Sequence, residues 1–316
     1  MFRTCEATSP AANRQNSVKC LHANALTSRS VGSSPFLSTV TTDLLFLTMQ
    51  RFFLIAMIAL ASCNTGFHLP AKNPSPNATG ATELFRQIGA MKWDQRELIL
   101  FDEIVKGNIP GFLRKFVPIT VVLTNGNKTI KAVYYVSPDY LSIGSDADWA
   151  RIPLTPMTAQ RIADTFQCFL PTRKMVDDIY SQATIKLEPV PLYANRDSAL
   201  IFWHHHLIIE GQRKNRKGLT AGIKKDVVIS EKVSADPKPN RVAIYGWHKL
   251  DGKAIQPLYT GHVNWYVDYS HGIRLVYRKI KIDNRWMDYK EVLKDPVLRK
   301  LLCDESSCDF FAYPTK

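Results

Sequence analysis

Residues 261–276, GHVNWYVDYSHGIRLV, place two histidines, an aspartate and a serine within ten positions. A histidine beside an aspartate can act as a general base, because the carboxylate holds the ring in one tautomer and orientation. This number of titratable groups exceeds what a loop needs to satisfy its own backbone. We therefore take His262, Asp268, Ser270 and His271 as candidate catalytic residues.

The same stretch supports three further hypotheses. His262, Asp268 and His271 are types that bind a divalent metal such as zinc, which would activate a water molecule. Trp265 and Tyr266 can stack on sugar rings, which would make the stretch a ligand-binding surface. The remaining alternative is a loop whose polar side chains only satisfy the backbone.

A shared site requires a bend in this stretch. In an extended strand, alternate side chains face opposite sides, which separates Asp268 from His271. A turn at residues 270–272 would bring the two together. We expect a core strand to begin near Ile273, after that turn.

Two neighbouring segments, AGIKKDVVIS and RVAIYGWH, carry further candidates at predicted strand ends. Lys225 and Asp226 follow Lys224 at the beginning of the first strand, and a buried lysine beside an aspartate can be a catalytic pair. His248 ends the second strand, where a rigid element aims the side chain. The alternative for the lysines and the aspartate is the solvated beginning of a strand. The candidate substrate-binding residues are Trp247 at the end of the second segment and, in residues 261–276, Trp265, Tyr266, Tyr269 and Arg274.

A third histidine group lies in FWHHHLIIEG, which we predict to be helical. His206 and Glu210 are four residues apart and share a helix face, a spacing that metal sites use. Three adjacent histidines point in three directions, so they cannot all share one site. The pattern favours an amphipathic helix over a metal site.

The pattern of elements that must position these residues predicts an α+β fold. Helical spacing in ATELFRQIGAM and DQRELILFDEIVKG precedes alternating, β-rich sequence with an Asn125-Gly126 hairpin signal. Helices and strands then intersperse without a regular βαβ rhythm, which favours antiparallel hairpins over a doubly wound sheet. We expect residues 83–316 to form one globular domain, or two subdomains at 83–190 and 191–316.

The N-terminal region predicts export. Residues 1–48 are a leader or an over-translated segment, and residues 49–62 have the cationic start and short apolar stretch of a signal peptide. The stretch Leu60-Ala61-Ser62-Cys63 resembles the lipobox of bacterial lipoprotein precursors, and the folded domain resembles no family that we can name. The resemblance implies that Cys63 is lipidated and anchors the protein in the membrane, with Asn64 favouring the outer membrane of a Gram-negative cell. Residues 63–82 would then be a lipidated tether. Cleavage after Ala59-Leu60-Ala61, giving a secreted protein, is the alternative.

Cysteine spacing predicts a disulfide, and the net charge indicates which classes of partner the protein could bind. Cys303 and Cys308 flank a turn-like linker, and we predict a disulfide between them because an exported protein can oxidise such a pair. Cys168 fits an apolar helix face as a small buried hydrophobe. The net charge of +13 favours acidic partners. The densest basic run, GQRKNRKG, lacks interleaved aromatics, which makes nucleic acid an improbable partner.

The sequence therefore predicts an exported, lipid-anchored cell-envelope protein with a hydrolase-like His/Asp site. Peptidoglycan or another glycan is the expected substrate, because these polymers lie within reach of a short tether. The alternative is a non-catalytic envelope protein that binds a ligand or partner. The two hypotheses differ in whether His248, His262, Asp268 and His271 converge in a cleft.

Overall fold

A long antiparallel hairpin organises the larger sheet of the protein, whose computed structural model describes residues 66–315. Strand β1 (Val117–Asn125) pairs with β2 (Lys128–Val136) along its whole length. The turn contains Gly126 at φ +60, a left-handed conformation that glycine adopts without steric cost. The Asn125-Gly126 signal therefore predicted this turn correctly.

The larger sheet has six antiparallel strands around this hairpin. Besides the hairpin, its strands are β5 (Cys168–Phe169), β12 (Val276–Tyr277), β13 (Lys279–Ile282) and β14 (Arg285–Asp288). The strand order is β14-β13-β2-β12-β5, with β1 paired to β2. Cys168 therefore lies on a strand, not on the predicted helix, although its thiol is buried and free as expected.

The second sheet carries five of the seven predicted catalytic residues. Its order is β10-β9-β8-β11, with ranges β8 (Lys225–Val228), β9 (Arg241–His248), β10 (Ala254–Val263) and β11 (His271–Gly272). Strand β9 is antiparallel to both β8 and β10, while β11 is parallel to β8. The chain thus returns beside β8 after the turn that ends at residue 270.

Two small sheets complete the strands of the described region. Strands β3 (Ser142–Gly144) and β4 (Trp149–Arg151) are antiparallel, and β6 (Ile185–Lys186) and β7 (Thr220–Ala221) are parallel. Antiparallel pairing dominates, and the α+β prediction is confirmed.

Five of the seven helices of the described region begin after a residue whose side chain caps the first turn. The helices are α1 (Ala81–Ile88), α2 (Trp93–Val105), α3 (Pro156–Thr165), α4 (Arg173–Gln182), α5 (Ala199–Arg213), α6 (Glu231–Ala235) and α7 (Tyr289–Lys294). Thr155, Thr172 and Ser198 each accept a backbone N–H of the first turn of α3, α4 and α5. Such caps satisfy N–H groups that a helix leaves free. Short 3₁₀ helices span Gly111–Arg114 and Leu298–Leu301.

One principal hydrophobic core extends from Leu69 to Tyr313. Residues Asn64–Lys316 form one compact unit without a division near residue 190. Of the two predicted arrangements, a single domain and two subdomains, the single domain is the observed one. Within residues 66–315, no helix is both long and apolar enough to cross a bilayer.

Part of the predicted tether packs on the domain. The ring of Phe67 stacks on Tyr277 with centroids 3.8 Å apart, and Phe116 donates its N–H to the carbonyl of Phe67 at 3.0 Å. Leu69 is buried. These apolar side chains gain free energy by leaving water, so residues 66–69 are not a free linker. Residues 1–65, with the predicted signal peptide and Cys63, lie outside the described range.

Candidate functional site

Strand β8 directs two of the predicted catalytic residues to different places. Lys225 of β8 pairs in parallel register with His271 of β11, and side chains on neighbouring strands in register face the same side of a sheet. Asp226 follows Lys225 and faces the opposite side. Lys225 is buried, with its Nζ 5.0 Å from the ring centroid of Trp247.

The predicted bend is present at Ser270. Asp268 Oδ1 accepts the backbone N–H of Ser270 at 2.8 Å and its hydroxyl at 2.5 Å. The N–H of His271 reaches the carbonyl of Asp268 at 3.1 Å. On its other oxygen, Asp268 accepts from Arg196 Nη2 at 2.7 Å and from the hydroxyl of Tyr266 at 3.3 Å. Ser270 is fully buried and donates to a carboxylate, so its role is to position Asp268. The prediction that Ser270 is a catalytic residue is therefore wrong, because its hydroxyl cannot reach a substrate.

Burial and neighbouring charges set the protonation of this pair. Burial alone would raise the pKa of Asp268, but His271, the hydrogen bonds of Ser270 and the charge of Arg196 lower it to about 2. Burial, opposed by Asp268, lowers the pKa of His271 to about 4. At neutral pH His271 is therefore uncharged, and Ser270 and Arg196 are the groups that keep Asp268 ionised.

His262 is the histidine of this group that solvent can reach. It is half-buried, and its ring centroid lies 4.8 Å from Tyr266 and 5.9 Å from His271. Burial, followed by the charge of Lys225, lowers the pKa of His262, although Asp268 opposes the shift. A neutral, accessible imidazole can accept a proton at neutral pH. We call His262, Tyr266, Asp268, His271 and Lys225 the polar cluster.

A groove with a volume of about 510 Å³ adjoins the polar cluster. Its walls include Trp93, Arg96, Asp197, Trp265 and Tyr266. Trp93 is 39% exposed and Trp265 is 46% exposed, so both indole rings are available to a ligand. We call this cavity the aromatic groove. Tyr266 belongs to both features and connects the proton-accepting group to the ligand-sized space.

Three predicted substrate-binding residues do not face a ligand. Trp247 is buried behind Lys225. Tyr269 is buried and its hydroxyl oxygen accepts the N–H of Leu192 at 2.6 Å. Buried Arg274 donates to two backbone carbonyls and lies over the ring of Tyr140. Of the five predicted residues, Trp265 and Tyr266 line the aromatic groove.

Asp226 lies outside the polar cluster, which corrects its predicted place in the catalytic group. It is fully buried, and its carboxylate accepts the hydroxyl of Tyr140 at 2.9 Å. Burial raises its pKa to about 6, although Arg274 and the bond from Tyr140 oppose the shift. A small cavity of about 10 Å³ adjoins Asp226 and His248, which is about the volume that one water molecule requires.

His248 also leaves the predicted group. Its Nε2 lies 2.9 Å from Asp177 Oδ1, and its ring stacks on Tyr180 with centroids 4.4 Å apart. Asp177 also accepts the hydroxyl of Tyr245 at 2.9 Å. The four residues expected to converge are therefore divided, because β9 delivers His248 to α4 while the turn at Ser270 gathers the other three.

The predicted metal site does not form. Within residues 66–315, no three side chains of His, Cys, Asp or Glu are arranged to hold a metal ion. Both carboxylate oxygens of Asp268 already accept hydrogen bonds, from Ser270 on one side and Arg196 on the other. The donors therefore do not fit zinc, and we derive no step through a metal.

The histidines of α5 belong to an ion-pair network beside the core. Buried Arg151 binds Asp139 at 2.7 Å and Glu210 at 2.9 Å, and His206 Nδ1 accepts the N–H of Arg151 at 3.4 Å. Burial, followed by the charge of Arg151, lowers the pKa of His206 to about 3. His204 is exposed and His205 is buried. The helical assignment is confirmed, and these side chains do not form a metal site.

Two residues were not among the candidates taken from the sequence: a fully buried lysine and an arginine that lines the aromatic groove. Lys224 is completely buried, donates to the carbonyl of Tyr269 and lies 3.3 Å from His205 Nδ1. Burial, followed by the charge of Arg151, lowers its pKa to about 7. Strand alternation already required one lysine of the pair to face inward. Arg96 carries no comparable signal, since it sits in an ordinary amphipathic pattern.

The cysteine pair agrees with the predicted chemistry of the C-terminal segment. Cys303 and Cys308 are joined by a disulfide. Burial raises the pKa of the free Cys168 thiol well above its usual range. A buried thiol of this kind is unreactive, so it does not serve as a nucleophile.

No protein-family model matches the chain, and no curated protein or solved structure matches it either. Residue roles therefore cannot be carried over from relatives. They rest on the geometry of the polar cluster and the aromatic groove.

Proposed function

We propose that this protein is an exported, lipid-anchored envelope hydrolase that acts on peptidoglycan or a related glycan in the aromatic groove. One observation carries the proposal: a neutral, half-exposed His262 lies beside buried His271 and against Tyr266, and Tyr266 also lines a groove with two exposed indole rings. Indole faces commonly pack against the apolar faces of sugars, and histidine is the most frequent general base.

The charges favour cleavage of an amide or ester carried by the sugar. Glycoside hydrolysis usually requires two carboxylates on either side of the bond, whereas the polar cluster contains the single carboxylate of Asp268. His262 would take a proton from water as the water oxygen attacks the carbonyl carbon. Lys225 would stabilise the negative charge that develops on the carbonyl oxygen. The proton on His262 would then pass to the departing amine or alcohol.

Turnover by the purified mature protein tests this reading. We expect release of amine or acid from muropeptides or acylated oligosaccharides, unaffected by a chelator. His262→Gln should lower kcat by at least about a hundredfold, the usual contribution of a general base. His204→Gln, an exposed histidine on α5, is the matched control. Absence of turnover on these substrates, or full activity of His262→Gln, would refute the enzyme proposal.

Export is proposed separately, from the lipobox-like stretch that ends at Cys63 and from the disulfide. A disulfide such as Cys303–Cys308 persists in oxidising compartments and is rare in a reducing cytosol. Cys63→Ser should release the protein from the membrane fraction into the soluble envelope fraction. Retention of the variant in the membrane would show that Cys63 is not the anchor.

The exposure of Trp93 and Trp265 favours a second candidate, a protein that binds glycan without catalysis. Here Trp265→Ala would weaken oligosaccharide binding at least about tenfold, a typical loss for an aromatic side chain that a ligand buries on binding. Trp286→Ala, which removes an indole that is 52% exposed on β14, is the control. Binding that depends on Trp265 in a protein with no turnover would favour this candidate.

A further inference from the structure

Arg96 of α2 is the most unusual residue of the aromatic groove. The side chain lines the groove although Arg96 is only 4% exposed. Its Nη1 donates to the carbonyl of Asp197 at 3.1 Å, and its guanidinium lies 4.8 Å from the ring centroid of Phe202. Its Nε is buried and has no hydrogen-bond partner among the described residues. Burying an arginine donor unpaired costs free energy, which a ligand acceptor would recover.

Two helices begin at the walls of the same groove. Helix α2 begins at Trp93 after Lys92, and α5 begins after Ser198, and all three residues line the cavity. With 13 and 15 residues, both helices carry a substantial partial positive charge at this end. The start of α2 has no side-chain cap, and its backbone N–H groups together with the two helix dipoles favour an anion.

The side-chain charges that line the groove are net positive. Lys92 and Arg96 contribute two positive charges, and Asp197 is the one carboxylate among the lining residues of the described chain. Helix α1 also ends here, and its terminal carbonyl at Ile88 already accepts the N–H of Met91 at 3.1 Å. The groove therefore combines aromatic faces with a net positive potential.

We infer that the aromatic groove selects a sugar that carries a carboxylate, with the carboxylate held by Arg96 and the sugar ring packed on Trp93 and Trp265. The inference rests on the proposed function, since it names the substrate class of the same groove. Arginine binds carboxylate through parallel N–H donors, which neutral sugars cannot match. An amino sugar with a lactyl group, or a uronic acid, has the required chemistry.

Calorimetry with two matched tetrasaccharides tests the inference in the mature protein. One alternates N-acetylglucosamine and N-acetylmuramic acid, and the other is chitotetraose, which lacks the lactyl carboxylates. We expect the acidic glycan to bind at least about tenfold more tightly, the effect of one charge-assisted hydrogen bond. Methyl esterification of its carboxylates should remove that advantage without any change to the protein.

Protein variants test whether Arg96 is the source of the preference for the acidic glycan. Arg96→Gln should bring the two affinities together, whereas Arg285→Gln, which removes an exposed arginine of β14, should leave their ratio unchanged. Because Arg96 is buried, its variant is checked by thermal unfolding. Lys92→Gln removes another positive charge of the groove at an exposed position, where folding is not at risk. It should reduce in part the ratio of the affinities for the acidic and the neutral glycan.

The outcomes separate this inference from the proposed hydrolase. Equal affinity of the wild-type protein for the two glycans, or an unchanged preference after esterification, would overturn the inference even if turnover is observed. A preference for the acidic glycan that depends on Arg96 would support it even if no substrate is cleaved. Binding of neither glycan would overturn it as well.

Discussion

Asp226→Asn should stabilise the protein at neutral pH, which is an unusual result for a fully buried polar residue. Burial raises the pKa of Asp226 from 3.8 to about 6, against the opposing effects of Arg274 and Tyr140. Between pH 3.8 and about 6 the folded state therefore holds a proton that the unfolded state has lost, and at neutral pH the folded state contains a buried carboxylate. The stabilising contribution of the protonated acid is complete below pH 3.8 and is lost as the pH rises through about 6.

The difference of about two pKa units corresponds to about 3 kcal/mol at neutral pH. Asparagine resembles the protonated acid, and its carbonyl can keep the hydrogen bond from the hydroxyl of Tyr140. Its amide group has to find an acceptor near the small cavity, which offsets about 1 kcal/mol. We therefore expect Asp226→Asn to be more stable than the wild type by about 1–3 kcal/mol at pH 7.5.

Urea denaturation followed by tryptophan fluorescence, at several pH values between 4 and 7.5, measures this effect. The advantage of Asp226→Asn should shrink to about zero, or reverse, near pH 4, where the wild-type acid is protonated in the folded state. Asp102→Asn, at an exposed position on α2, is the control and should show no such pH dependence. A stability difference that is constant across this pH range would refute the reasoning.

Three further predictions concern stability, each measured by the free energy of unfolding. Arg151→Met should cost about 3–5 kcal/mol because it removes the nearest cation from the buried carboxylate of Asp139 and the partly buried carboxylate of Glu210; a loss below about 1 kcal/mol would contradict this. Reduction of the Cys303–Cys308 disulfide should cost only about 2 kcal/mol, since it closes a five-residue separation, and the Cys303→Ser/Cys308→Ser variant should match the reduced protein. Gly126→Ala should cost about 1 kcal/mol because alanine is strained at φ +60. Gly211→Ala, in the open face of α5, should instead stabilise by up to about 1 kcal/mol, and equal signs for the two glycine variants would contradict the backbone argument.

Signals carried by a few adjacent residues predicted local structure well. The Asn125-Gly126 pair predicted the hairpin, and Thr155 and Thr172 have the short hydroxyl side chain that commonly caps a helix, as both do here. The bend at Ser270 also follows from local chemistry, because an aspartate readily accepts the N–H two residues ahead. Each of these depends on contacts within a few residues, which the order of the sequence specifies directly.

The composition of the candidate site could be predicted only in part. His262, Asp268 and His271 lie near one another around the turn at Ser270, and Lys225 joins them through the pairing of β8 with β11. His248 does not join them, because α4 presents Asp177 to its ring and the nearest partner decides where a buried histidine is satisfied. Alternation along β8 turns Asp226 and Lys225 to opposite sides of the sheet. The register of β8 against β11 then shows that Lys225 is the one on the side of His271.

By itself, the sequence determined the α+β class, the hairpin turn at Asn125-Gly126, the bend at Ser270, the lipobox-like stretch and the presence of a dense polar segment at residues 261–276. Tertiary structure decided which members of that segment face a ligand. The parallel pairing of β8 with β11 places Lys225 beside His271, and the tertiary fold places Arg96 of α2 in the same groove as Trp265. These arrangements join residues far apart in the chain, and no local propensity encodes them, because they form only when the whole core excludes water.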